Sequence, residues 1–112
     1  MSIAKQQKTN TTNNTNISDR VYEIVIQIPE GKVTTYGRVA ANCGIKNPRL
    51  VGHILHKNPD SGKIPCHRVV NFQGRLAPEY AFGGADIQEQ KLKYEGVIFS
   101  NSMVDLEKCL WI

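Results

Sequence analysis

The sequence has 112 residues and a formal net charge of +4, which is one domain's worth of chain with a mild basic excess. No segment is long and apolar enough to span a membrane, and the N-terminus lacks the apolar core of a secretory signal. Three widely spaced cysteines argue against a disulfide framework and for a reducing compartment.

In chain order, residues 1–17 come first as a polar tail. The run Lys8-Thr9-Asn10-Thr11-Thr12-Asn13-Asn14-Thr15-Asn16 offers nothing apolar to offset its ordering entropy, so the folded domain is expected to cover residues 18–112. Ser18 is placed to cap a first helix with Val21, Ile24, Val25 and Ile28 on one face, stopped by Pro29 and Glu30-Gly31. Val33-Thr34-Thr35 is short and β-branched. Thr35 then caps a second helix, Tyr36 to Cys43, with Val39, Ala40 and Cys43 inward and Gly44 at its end. Pro48 opens a third helix running to about Lys57, with Val51, Ile54 and Leu55 inward and Arg49, His53, His56 and Lys57 on the other side.

Two short helices across a tight glycine-containing turn form a helix-turn-helix pattern. Asn58-Pro59-Asp60-Ser61-Gly62 is a loop. Residues Arg68 to Phe72 and Arg75-Leu76 flank Gln73-Gly74 as a hairpin, and Gly83-Gly84 precede a helix from about Asp86 to Glu95, closed by Gly96. Val97-Ile98-Phe99 makes a last short strand. The whole reads as a mainly α chain with a small β-wing, a winged helix-turn-helix with an added C-terminal helix. Trp111 is read as a packing anchor.

The charge is unevenly spread. Between residues 31 and 76 lie Lys32, Arg38, Lys46, Arg49, Lys57, Lys63, Arg68 and Arg75, opposed by Asp60 alone; the acids gather later, from Glu79 to Glu107. Charge alone leaves a nucleic-acid-facing surface and an unevenly charged solvated one equally open.

Chemistry concentrates at Ile64-Pro65-Cys66-His67-Arg68-Val69-Val70. Pro65 biases Ile64 toward an extended shape and removes a backbone donor, so Cys66 stands in a fixed, irregular stretch. A cysteine attacks as a thiolate, which needs a neighbouring base or positive charge. His67 is such a base and Arg68 such a charge. A lone cysteine is more often a small buried hydrophobe, and Cys43 and Cys109 are read that way. Cys66 and His67 are adjacent rather than at chelating spacing, which speaks against a metal site.

Pro65-Cys66-His67-Arg68-Val69, preceded by Asn58-Pro59, resembles the active-site segment of the O6-alkylguanine-DNA alkyltransferases. The run Ile28 to Ala40 resembles that family's entry to its helix-turn-helix, Pro48 to Gly52 its recognition helix, and Gly83-Gly84, Gln90 and Glu95-Gly96-Val97 its C-terminal block. Together these motifs cover residues 18 to about 99. The resemblance implies roles. Cys66 would accept the alkyl group, His67 would take its proton through a water, and Glu95 would hold His67. Asn58 would brace the turn, Tyr36 would donate to the departing guanine, and Arg49 would fill the stack where a nucleotide has been flipped out. Gly52 would allow the recognition helix close approach to the backbone, with Thr35 and Arg68 as further DNA contacts. The partner implied is duplex DNA carrying O6-alkylguanine, bound by a monomer without a cofactor. The compartment implied would be the cytoplasm, at the nucleoid in a prokaryote, or the nucleus in a eukaryote.

The sequence departs from the family pattern in two places. A polar tail stands where full-length members carry a larger N-terminal domain. Phe82 occupies the place before the double glycine where a serine usually helps bind the guanine oxygen. Two alternatives to single-use transfer to Cys66 therefore stay open. One is an alkyltransferase-like lesion sensor that binds without transfer and flags the site for nucleotide excision repair. Such proteins have lost the cysteine, which this sequence keeps. The other is a winged-helix transcription regulator, which leaves Cys66, His67 and Glu95 without a purpose.

Overall fold

The computed structural model describes residues 16–78 and 80–112. The expected polar tail falls largely on residues 1–15, outside the described residues. Helix α1 (Ile17–Ile26) is capped by Asn16, whose side chain accepts from the Asp19 amide at 2.8 Å. Asn16 therefore takes the role expected of Ser18, which is already inside the first turn. Val21, Val25 and Ile28 are buried as the helical spacing requires.

Strand β1 (Thr34–Thr35) leads directly into α2 (Tyr36–Cys43). The Thr35 hydroxyl accepts from the Arg38 amide at 3.2 Å, and Gly44 closes the helix in the left-handed conformation at φ 70°. Helix α3 (Pro48–His56) starts on the Asn47 side chain, which accepts from the Arg49 amide at 3.0 Å. The three helices enclose a core of Val21, Val25, Val39, Ala40, Val51, Ile54 and Leu55. The Tyr22 hydroxyl ties α1 to α3 by donating to the Ile54 carbonyl at 2.9 Å.

Strand β2 (Val69–Val70) pairs in parallel with β1, Thr34 opposite Val69 and Thr35 opposite Val70. The sequence suggested instead a hairpin between residues 68–72 and Arg75-Leu76. The turn is there, closed by Asn71 N–H to the Arg75 carbonyl at 3.1 Å, but Arg75-Leu76 forms no strand. Asn71 is the physical reason. Its side chain accepts from both the Gln73 and Arg75 amides, folding the chain back before a ladder can extend. The Gly74 carbonyl then bonds to the Val104 amide at 2.8 Å rather than within the turn.

Helix α4 (Gly84–Tyr94) begins two residues before the expected Asp86, and Gly96 follows it at φ 91°. The expected last strand is displaced to β3 (Phe99–Ser100). It pairs antiparallel with β4 (Met103–Val104) around Asn101 and Ser102, both at positive φ. A short helix α5 (Leu106–Cys109) follows. The chain end then lies along Val33: the Val33 amide donates to the Cys109 carbonyl at 2.9 Å and the Trp111 amide to the Val33 carbonyl at 2.7 Å. Trp111 packs on the first core, as an anchor would.

A second core gathers Val33, Val70, Leu92, Val97, Val104 and Cys109. Successive strand residues point to opposite faces, so Val69 enters the first core and Val70 the second. The segment just after Cys66 is thus clamped between both. The architecture is a mainly helical winged helix-turn-helix with small sheets.

Candidate active site and nucleic-acid interface

Cys66 opens a single 3-10 turn (Cys66–Arg68) between α3 and β2. Pro65 before it has φ −77° and ψ 68°, and the Cys66 amide donates to the Ile64 carbonyl at 2.7 Å. That is an inverse γ-turn centred on the one residue whose φ is preset for it. Asn58, 6% exposed, braces this turn. Its amide nitrogen donates to the Ile64 carbonyl at 2.7 Å and its oxygen accepts from the Asp60 amide at 2.8 Å, and the same side chain favours the ionised form of the Cys66 thiol.

His67 and Glu95 meet as expected, with Nε2 and Oε2 2.8 Å apart. Arg68 grips the same carboxylate through Nε at 2.9 Å and Nη2 at 2.7 Å, and its Nη1 donates to the Ile28 carbonyl at 2.7 Å. Burial alone would push the Glu95 carboxyl up. The bonds from Arg68 and His67 outweigh it and hold the group below the usual carboxylate range. An ionised carboxylate only accepts, so His67 Nε2 must carry the proton of this bond. Burial, only partly offset by Glu95, holds the imidazole below its ordinary value and keeps it neutral. The remaining lone pair is on Nδ1, which is buried and has no hydrogen-bond partner among the described residues.

The Cys66 thiol is pushed up by burial, against the Asn58 side chain and the charge of Lys91, so it is protonated at neutral pH. Tyr36, first residue of α2, is pushed up to about 12, chiefly by burial, and stays a donor. Both line a cavity of about 870 Å³, together with Arg49, Gly52, His53 and Phe72. Arg49 and His53 are exposed on α3. Among the described residues a Cβ on Gly52 would meet Tyr36 Cε1 alone, at an ordinary 3.9 Å, so the described fold does not require glycine there.

Two residues expected at the DNA surface have inward roles here. Thr35 is 6% exposed and caps α2. Arg68 has its guanidinium turned to Glu95 and Ile28. Phe82 does not line the cavity. Its ring packs edge-on to Tyr80 at 5.8 Å, against the first core. Gly83 beside it has φ 124°, and a Cβ there would lie 2.5 Å from Ile87, so this conformation requires glycine at that position.

The sequence reading missed three supports. Gln88, fully buried, donates to the His67 and Val69 carbonyls at 3.1 Å each and accepts from the Ala77 amide at 2.8 Å. Its one sequence signal is its place a helical turn before Leu92. Tyr80 and Lys91 bond to each other beside the site, Nζ to Oη at 2.8 Å, and no local motif marks them.

The fold is that of a winged helix-turn-helix DNA-binding domain, and it carries Cys66 and the exposed Arg49 at one cavity, with His67 following Cys66 in the chain and held by Glu95. The chain belongs to the family described as 6-O-methylguanine DNA methyltransferase, DNA binding domain, whose model matches residues 16–97. It is 43% identical over 96 residues to the DNA base-flipping protein of Escherichia coli, covering 82% of this chain and 71% of that protein. It is 41% identical over 83 residues to the methylated-DNA–protein-cysteine methyltransferase of Methanosarcina acetivorans, covering 73% of this chain and 52% of that one. The chain thus spans about half of that transferase. The crystal structure of Schizosaccharomyces pombe Atl1 in complex with damaged DNA containing O6-carboxymethylguanine superposes with a TM-score of 0.76 at 30% identity, covering 86% of this chain and 94% of that chain. The family therefore joins transferases with base-flipping relatives.

Proposed function

We propose that the protein repairs O6-alkylguanine in duplex DNA by moving the alkyl group onto Cys66, once per molecule. The observation that carries this reading is the state of His67, neutral, fixed through Nε2 by an ionised Glu95, with Nδ1 unpartnered among the described residues, on the residue next in sequence to a protonated cysteine. A resting thiol needs a base at the moment of attack, and this arrangement is one. The S–H proton passes to His67 through a water. The sulfur attacks the saturated alkyl carbon, the carbon–oxygen bond breaks, and its electron pair stays on the guanine oxygen. Tyr36 donates to the guanine as that charge develops.

The target atom lies inside the duplex, so the nucleotide must be flipped and the gap filled. Arg49, exposed at the start of α3, is the side chain for that, entering from the minor groove. Readout there is poor, which suits a protein that must accept any sequence. Binding is by a monomer, with affinity falling as salt rises.

Similarity to a base-flipping protein and to Atl1 favours a second reading, in which the lesion is bound and flagged for excision repair without transfer. Intact-protein mass spectrometry after incubation with O6-methylguanine duplex separates the two. The expected result is one methyl group on Cys66, absent in Cys66→Ser. Unmodified protein that binds the lesion tightly would establish the second reading instead.

A further inference from the structure

Burial works against Cys66 as a nucleophile, so whatever favours its ionised form decides its use. The groups facing it come from every neighbouring element. Tyr22 stands on α1, Tyr36 on α2, Asn58 after α3 and Tyr80 before α4; Lys91 is on α4, and His67 with Glu95 lies beside it. The tyrosines keep their protons and His67 is neutral. The charge of Arg68 is matched by Glu95. Lys91 differs. Among the described residues no carboxylate is within 4.0 Å of its ammonium, whereas its neighbour Lys93 pairs with Glu89 at 2.7 Å.

Lys91 is also held in place. Its Nζ donates to Tyr80 Oη at 2.8 Å and stands 5.3 Å from the Tyr80 ring centre and 5.7 Å from that of Phe82. Tyr80 lines the same cavity as Cys66.

We propose that Lys91 is a positioning residue for the nucleophile, an ammonium clamped by Tyr80 and Phe82 whose uncompensated charge favours the Cys66 thiolate. Burial pushes the thiol up, and the Asn58 side chain and then the charge of Lys91 pull it down. Tyr80, pushed above its ordinary range chiefly by burial, stays neutral and does not cancel that charge. Phe82 then has a purpose of its own, since its ring face is one jaw of the clamp.

The inference rests on Cys66 being the acceptor, but its test reads the thiol directly. Alkylation of Cys66 in the full chain by iodoacetamide is followed by peptide mass spectrometry across the pH range. Lys91→Met should move the midpoint up by about one pH unit, giving about tenfold slower alkylation below it. Lys91→Arg should stay close to wild type, and Tyr80→Phe should move the midpoint less, in the same direction. Lys91→Gln carries the same comparison if Lys91→Met does not fold. An unshifted midpoint in a folded variant without the charge overturns the inference, whatever the protein does with DNA. A Lys91-dependent midpoint in a protein that takes no methyl from DNA would sustain it and overturn transfer alone.

Discussion

Glu95 Oε2 accepts simultaneously from His67 Nε2 at 2.8 Å and from Arg68 Nη2 at 2.7 Å. One carboxylate oxygen thereby joins the base to a fixed cation. Arg68 keeps Glu95 ionised, and ionised Glu95 fixes the tautomer of His67. The Gly31 turn closes over this end of α4, where a Cβ would lie 3.3 Å from the Glu95 carbonyl.

Glu95→Gln should therefore fail twice. The amide leaves Arg68 without its counter-charge and destabilises the fold by about 2 kcal/mol, the scale of a hydrogen bond to a charged group. It also lets His67 turn to the wrong tautomer and slows alkyl transfer by about 100-fold or more. Urea unfolding and single-turnover transfer read the two effects separately.

Acid should weaken the fold in two stages. The pKa of His67 is lowered in the folded state, so the unfolded chain takes up a proton first as pH falls through 6.5, the ordinary histidine value. Stability is lost from there downward. Glu95 is also lowered, and a second loss begins as pH falls through 4.5. Removing the first group by His67→Gln should flatten the upper stage in thermal melts taken across pH and leave the lower one.

Gly52→Ala should keep the fold and impair binding. The added methyl has room, and alanine is better than glycine within a helix by up to about 1 kcal/mol. If α3 lies directly against the DNA backbone, the same methyl intrudes there. The melting temperature should hold or rise while duplex affinity falls about tenfold. Unchanged affinity would place the DNA elsewhere.

Arg49→Ala should separate flipping from chemistry. Reaction with duplex O6-methylguanine should slow far more than reaction with free O6-benzylguanine, which needs no flipping. Rates on both substrates, measured in one buffer, decide it, and equal losses would remove Arg49 from the gap-filling role.

Local chemistry made much of the fold legible. Thr35, Gly44 and Pro48 are residues whose side chain or φ preference fits one helix end, and all three stand where that preference puts them. The three-helix core follows from apolar spacing alone. The wing was harder, because Asn71 satisfies its neighbours' amides from a side chain and so replaces the ladder that alternation suggested. The C-terminal hairpin escaped notice because its turn residues, Asn101 and Ser102, lack the glycine that usually marks positive φ.

The sequence by itself determined the helix-turn-helix, the constrained turn at Cys66 and, through motifs in the right order, the family. Each depends on residues close together in the chain. Only the tertiary structure decided what surrounds the cysteine. The inward turn of Arg68, the bond of His67 to Glu95, the buried Gln88 and the clamp of Lys91 by Tyr80 and Phe82 all join separate elements. Their effect on proton affinity comes from burial and from charges across space, and neither quantity exists until the chain has folded.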